Sequence, residues 1–143
     1  MSSEAAEFSA GGVVLRDGEV AVIVPVKRGA GGIRVLGLPK GHPDGDETAA
    51  LAASREVREE TGLTTELIEP LGEVHYAYER KGRPIQKTVM FFLFQYVSGS
   101  LDDHDHEIEE ARWMKLADAA RLLTYPGERE ILRRALSRTT PDL

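Results

Sequence analysis

The chain has 143 residues, enough for one domain with a sizeable core, and 41% of them are hydrophobic, so it is not a disordered polymer. The formal net charge of −6 speaks against a general binder of nucleic-acid backbones, which needs a basic face, but not against a polyphosphate substrate, because bound cations reverse the local sign. The absence of cysteine excludes disulfides and thiolate zinc sites, and with no basic start before an apolar run and nothing near the ~18 apolar residues of a membrane span, the expectation is a soluble, cytoplasmic protein without a signal peptide.

In chain order, Met1 to Glu7 reads as a loose tail. Phe8 to Leu15, small and β-branched, begins a strand; Asp17-Gly18 is a strong hairpin turn, and Glu19 to Lys27 returns as a second strand. Arg28 to Gly32 is a flexible Gly-rich loop that needs no further role. Ile33 to Leu38 is short and apolar and leads into Pro39-Lys40-Gly41-His42.

The next stretch is a loop that becomes a helix. Pro39, Gly41, Pro43 and Gly45 break regular structure. Asp46 or Glu47 is placed to cap a helix running from about Glu47 to Thr61, rich in alanine, with Gly62 as a left-handed stop. At ~100° per residue, Glu56, Glu59 and Glu60 share one arc of ~100°. Ala49 and Ala52 leave that arc uncrowded, while Ala50, Ala53 and Val57 point elsewhere and pack inward. Arg55, one turn before Glu59, is placed to hold it by an ion pair. Carboxylates gathered so closely beside a Gly-rich loop suit a hard cation such as Mg²⁺, which takes oxygen ligands and keeps waters and substrate phosphates in its shell; a solvated helix face is the alternative.

Beyond the helix, Thr64 to Tyr78 reads as strand interrupted near Pro70 and Gly72, Arg80 to Pro84 as a basic hairpin turn, and Gln86 to Tyr96 as a strand covered on both faces. Ser98 to His106 is a polar loop. Ala111 to Leu116 is a short last strand with Trp113 facing the core. Leu116 to Leu123 and Glu128 to Leu136 have helical spacing, separated by Pro126-Gly127, and Ser137 to Leu143 is a frayed end. No repeat or long linker divides the chain, and the order of elements fits a layered α/β sandwich.

Gly41, Glu47, Arg55, Glu56, Val57, Glu59, Glu60, Gly62 and Leu63 fill every fixed position of the pattern G-x5-E-x7-R-E-U-x-E-E-x-G-U, with U aliphatic. The stretch 41–63 therefore resembles the Nudix box, and a match this long is far more specific than a short motif. The resemblance covers about residues 8 to 136. It implies a single Nudix hydrolase domain over residues 1–143 with tails at about 1–7 and 137–143, an α/β/α sandwich with a mixed β-sheet, and hydrolysis of a phosphoanhydride in a nucleoside diphosphate derivative with Mg²⁺ or Mn²⁺.

Carried over position by position, the resemblance implies Glu56 and Glu60 as primary metal ligands, Glu59 as a further ligand or the general base, and the Gly41 carbonyl as a contributor to the metal shell. Glu47 is structural or a weaker ligand, and Arg55 an orienting partner of the catalytic carboxylates. Glu107, six residues before Trp113, resembles the loop glutamate that joins the metal site in Nudix enzymes, as ligand or base. The rest of Asp102 to His106 reads as a polar surface loop, and Glu109 and Glu110 as solvated. Leu38-Pro39-Lys40-Gly41-His42 resembles the Nudix enzymes that cleave diadenosine polyphosphates and the related actinobacterial-style mutator and diphosphoinositol polyphosphate enzymes. Lys87-Thr88-Val89 and His106-Glu107 before Arg112-Trp113 resemble the diadenosine tetraphosphate group, which cleaves its substrate to ATP and AMP. Lys40, Lys87 and His42 are candidates to meet phosphate oxygens. Tyr76 and Tyr78 offer π-faces to a purine, whereas Phe92 belongs to the core. Arg80, Lys81 and Arg83 make a basic tip that either steers polyphosphate or is a soluble turn. Rival readings are an oxidised-guanine triphosphate hydrolase, a diphosphoinositol polyphosphate phosphatase and a non-catalytic nucleotide sensor. The expected partner is a small nucleoside polyphosphate, with no nucleic-acid polymer and no membrane, and the protein a monomer or homodimer.

Overall fold

In the computed structural model, residues 5–139 are described. Six strands and three α-helices follow one another as β1 (Ala5–Arg16), β2 (Glu19–Pro25), β3 (Lys40–Gly41), α1 (Ala49–Thr61), β4 (Leu63–Arg80), β5 (Arg83–Gly99), β6 (Ile108–Lys115), α2 (Leu116–Leu122) and α3 (Pro126–Thr139), with short 3-10 turns at Ala30–Gly32 and Leu101–Asp103. The strands form one sheet in the order β4-β5-β1-β2-β6, with β3 added to β1. β1 and β5 run parallel, from Ala5 opposite Ile85 to Leu15 opposite Gln95, and the other pairings are antiparallel. The sheet is mixed, as expected.

Alternation along the central strands sends side chains to both faces. Val13, Val20, Val22, Val89, Phe91 and Leu93 pack under α2 and α3 with Ile131, Leu132 and Ala135. Val14, Ala21, Phe92 and Phe94 pack under α1 with Ala52, Ala53 and Val57. Helices therefore cover both faces of the sheet, and Phe92 is core, 8% exposed. Ala52 is fully buried, so the inward stripe of α1 is wider than the wheel suggests. Trp113 packs partly buried against the α1 side, edge-on to Tyr96 at 5.7 Å, with the Arg16 guanidinium 4.1 Å from its ring.

Several boundaries differ from the sequence reading. Ala5 to Glu7 are strand rather than tail because they continue the parallel ladder with β5; Met1 to Glu4 lie outside the described residues. Thr48, not Asp46 or Glu47, caps α1, its hydroxyl accepting the Leu51 N–H at 3.2 Å. The Glu47 carboxylate instead turns back to the Asp44 N–H at 2.8 Å. Gly62 stops the helix in the left-handed region at φ 77, its N–H reaching the Arg58 carbonyl. Pro126-Gly127 does not separate the last two helices. It opens α3, since proline suits the first helical position, and the helix continues through Ser137 to Thr139, with 140–143 outside the described residues. The loop after β2 is not loose: Arg28 reaches Glu109 at 3.1 Å, and Arg34 reaches Glu109 and Glu110 at 2.9 and 2.8 Å. Glu109 and Glu110 are thus ion-paired rather than merely solvated. Among the described residues, no helix is long and apolar enough to cross a membrane.

Candidate active site

Helix α1 presents its carboxylates because its other face is committed to the core. Arg55, a quarter exposed, organises their outer edge. Its Nε and Nη2 donate to Glu47 at 2.8 and 3.0 Å, Nη2 also to the His42 carbonyl at 2.9 Å, and Nη1 to Glu59 Oε2 at 3.1 Å. One guanidinium therefore ties the 42–47 loop to the helix and restrains Glu59, as the i, i+4 spacing predicts. These carboxylates hold the guanidinium firmly protonated, Glu47 foremost.

Glu56 and Glu60 lie deeper. Burial pushes Glu56 up to about 7, with Arg55 opposing and Glu59 and Glu107 adding repulsion. Burial pushes Glu60 up to about 8, against the Lys40 N–H that donates to its Oε1 at 3.1 Å, and with repulsion from Glu56 and Asp105. Gly41 borders the pair: a Cβ there would fall 1.4 Å from Glu56 Oε2, so only glycine leaves that carboxylate its place. Glu107 is exposed, on a loop fastened at both sides. Asp105 N–H donates to the Glu59 carbonyl and Val26 N–H to the Glu107 carbonyl, each at 2.9 Å.

A hard dication fits these residues. The donors are oxygens, burial and then the repulsion of neighbouring carboxylates raise both Glu56 and Glu60, which a cation between them would relieve, and Gly41 leaves Glu56 its place. Among the described residues, no three His, Asp or Glu side chains are gathered into a finished cage. Glu56, Glu60 and Gly41 come together. Glu59 stands at the rim under Arg55, and Glu107 reaches the group through its charge on Glu56.

A cleft of about 830 Å³, a size typical of small-molecule sites, opens on the far side of Lys40; Glu128, the partner of Lys40, lines it, and the box carboxylates do not. β4 lines it with Tyr76 and Tyr78, whose ring centroids are 6.4 Å apart. β5 contributes Lys87, the loop after β3 contributes His42, and Tyr125 enters from the residue just before α3. The Tyr78 hydroxyl donates to Glu7 at 2.5 Å and accepts from Arg80 at 2.6 Å, while Arg80 also pairs with Glu7 at 2.9 Å. Those bonds hold Glu7 below its ordinary value and Tyr78 above it. Burial, with repulsion from Lys40, lowers Lys87. His42 Nδ1 is bonded to the Phe8 carbonyl at 2.9 Å.

Lys40 stands between cluster and cleft. Its N–H grips Glu60, and its ammonium pairs with Glu128 at 2.9 Å, which keeps it charged despite its burial. Sequence reasoning missed Glu128, Tyr125 and Glu7. The aromatic beside Pro126-Gly127 was a usable signal for Tyr125. No local pattern marks Glu128, because Lys40 is 88 residues away.

A NUDIX domain family model matches residues 7–135. A relative from Mycobacterium tuberculosis named "Putative mutator protein MutT4" is 36% identical over 131 residues, 87% of this chain and 52% of that protein. An 8-oxo-(d)GTP phosphatase from Mycolicibacterium smegmatis is 36% identical over 101 residues, 71% of this chain and 30% of that protein. The asymmetrical bis(5'-nucleosyl)-tetraphosphatase of Caenorhabditis elegans is 33% identical over 98 residues, 67% of this chain and 70% of that enzyme. The chain thus spans about half the length of the first relative and under a third of the second. The solved structure of a NUDIX hydrolase from Nitrosomonas europaea shares the fold with a TM-score of 0.75 at 22% identity, covering 96% of this chain and 93% of that one. With an unbroken box from Gly41 to Leu63 on this sheet, the chain belongs to the NUDIX domain family.

Proposed function

We propose that the protein is a Mg²⁺- or Mn²⁺-dependent hydrolase of a phosphoanhydride in a nucleoside polyphosphate, with a dinucleoside polyphosphate such as diadenosine tetraphosphate, split to ATP and AMP, as the preferred substrate. One observation carries the reading: a cleft with tyrosines on two sides is linked to the crowded carboxylates through Glu128 and Lys40. Glu56, Glu60 and the Gly41 carbonyl would hold the ion. When bound, it would neutralise phosphate oxygens and acidify water. Glu59, positioned by Arg55, and Glu107 stand at the open side as the carboxylates to accept the proton of the attacking water. The water oxygen bonds to phosphorus, and the bridging P–O bond breaks toward the leaving phosphate. Lys87 meets phosphate oxygens, with His42 beside it, and Tyr76 and Tyr78 flank a base, while the Lys40 ammonium, committed to Glu128, holds the segment between cleft and carboxylates rather than a phosphate.

The charge balance of the cleft favours a nucleotide over an inositol pyrophosphate. Arg80 and Lys40 are already paired with Glu7 and Glu128, which leaves few cations for a densely phosphorylated ring. The 8-oxo-(d)GTP phosphatase of Mycolicibacterium smegmatis supports hydrolysis of oxidised guanine triphosphates as the second reading. Incubation with Mg²⁺ and a panel of both substrate types, resolved by ion exchange, separates them: ATP plus AMP supports the first, and a monophosphate plus pyrophosphate the second. Glu60→Gln is expected to cut turnover by about two orders of magnitude or more. Wild-type turnover in Glu60→Gln, or no Mg²⁺-dependent product from any substrate, would defeat the proposal.

A further inference from the structure

Glu128 is 3% exposed, an unusual place for a carboxylate, and both of its oxygens are used on one short segment. Oε1 accepts the Leu38 N–H at 2.9 Å, and Oε2 pairs with the Lys40 ammonium at 2.9 Å. Gly37 lies against the same carboxylate, since a Cβ there would come 2.9 Å from Oε1. At its far end the segment does two things for the box. The Lys40 N–H holds Glu60, and Gly41 leaves the place that Glu56 occupies. Glu128 itself sits in the first turn of α3, whose neighbours Tyr125 and Gly127 line the cleft. A continuous path therefore runs from the cleft wall through Glu128 and Lys40 to Glu60.

We propose that Glu128 is a positioning residue for the metal-binding carboxylates: it fixes the 38–41 segment from behind, so that the Lys40 N–H aims Glu60 at the ion. The inference rests on the metal-dependent reading above. A conventional buried ion pair would only hold α3 to the sheet. This one is spent on Leu38 and Lys40, just ahead of Gly41, and both of its oxygens bond that segment rather than α3. Partners that orient a ligating carboxylate are worth about tenfold to a hundredfold in metal affinity, so the effect is measurable without turnover.

The test is Mn²⁺ binding to the full chain, followed by electron paramagnetic resonance, in a double-mutant cycle of Glu128→Gln and Glu60→Gln. Glutamine keeps an acceptor for Leu38 but withdraws the charge from Lys40. Glu128→Gln is expected to weaken Mn²⁺ binding about tenfold in the wild-type background and to change it little once Glu60→Gln is present, because the carboxylate it positions is gone. Should the unpaired Lys40 ammonium unfold the single variant, Glu128→Gln with Lys40→Met removes both charges, and the same loss of affinity is expected. Unchanged Mn²⁺ affinity in the folded variants, or losses that simply multiply in the cycle, would overturn the proposal. If Glu60→Gln by itself left Mn²⁺ binding unchanged, the metal-dependent reading would fall with it.

Discussion

At the scale of single residues, Arg55 shows why one side chain is hard to replace by another of like charge. It makes planar, forked bonds to Glu47, Glu59 and the His42 carbonyl together. A lysine carries the charge on one point and cannot span the three. Arg55→Lys is expected to lower kcat about tenfold to a hundredfold by loosening Glu59. Its stability should fall by about 1–2 kcal/mol, a figure kept small because the pairs face solvent. Steady-state kinetics and denaturant melts check both, and a kcat equal to wild type would remove Arg55 from the machinery. Arg55 was legible because its partners lie within one turn and one loop. The same holds for Glu56 and Glu60, where helical spacing alone gathers the carboxylates. Glu128 and Asp105 were not legible, because what they touch is brought to them by the sheet and by the loop folded against Glu59.

At the scale of elements, α1 must start at one defined place for its carboxylates to face Gly41. Glu47 is drawn away by Arg55 and the Asp44 N–H, so the cap falls to Thr48. Thr48→Ala is expected to cost about 1 kcal/mol in urea unfolding, as at other helix N-caps, with the box bonds of Arg55 left in place. An unchanged midpoint would show that the 44–47 turn fixes the start unaided. Sequence read the turns at Asp17-Gly18 and Lys81-Gly82 and the register breaks near Pro70 and Gly72, because turn chemistry and proline act locally. It could not read β3, which pairs for two residues only, Lys40 with Gly11 and Gly41 with Ala10. Nor could it see that the loop after β2 is anchored, since arginines find Glu109 and Glu110 only once β6 lies beside β2.

At the scale of the whole molecule, the fold buries two carboxylates that water would leave charged at neutral pH, and burial works against that charge. Glu56 is pushed up to about 7 and Glu60 to about 8, from 4.5, chiefly by burial. Below pH 4.5 both folded and unfolded chains hold these protons, so the groups contribute no difference there. Between 4.5 and 8 the folded chain retains protons that the unfolded chain has released, and stability falls as pH rises through that window. The loss is on the order of a few kcal/mol. In chelator, Glu60→Gln is therefore expected to melt above wild type at pH 8.5 and level with it near pH 4, since glutamine removes one buried charge and the repulsion on Glu56 together. Mg²⁺ should reverse the order. An ion that binds only the folded state stabilises it by mass action, so Mg²⁺ should raise the wild-type melting temperature at pH 8.5 more than at pH 5, and raise that of the variant little. Circular-dichroism melts at these pH values, with chelator and with Mg²⁺, give all the comparisons. A Glu60→Gln variant that melts below wild type in chelator at pH 8.5 would show that Glu60 is stabilised by its surroundings without a cation, and that the cluster is a structural network rather than a site waiting for one.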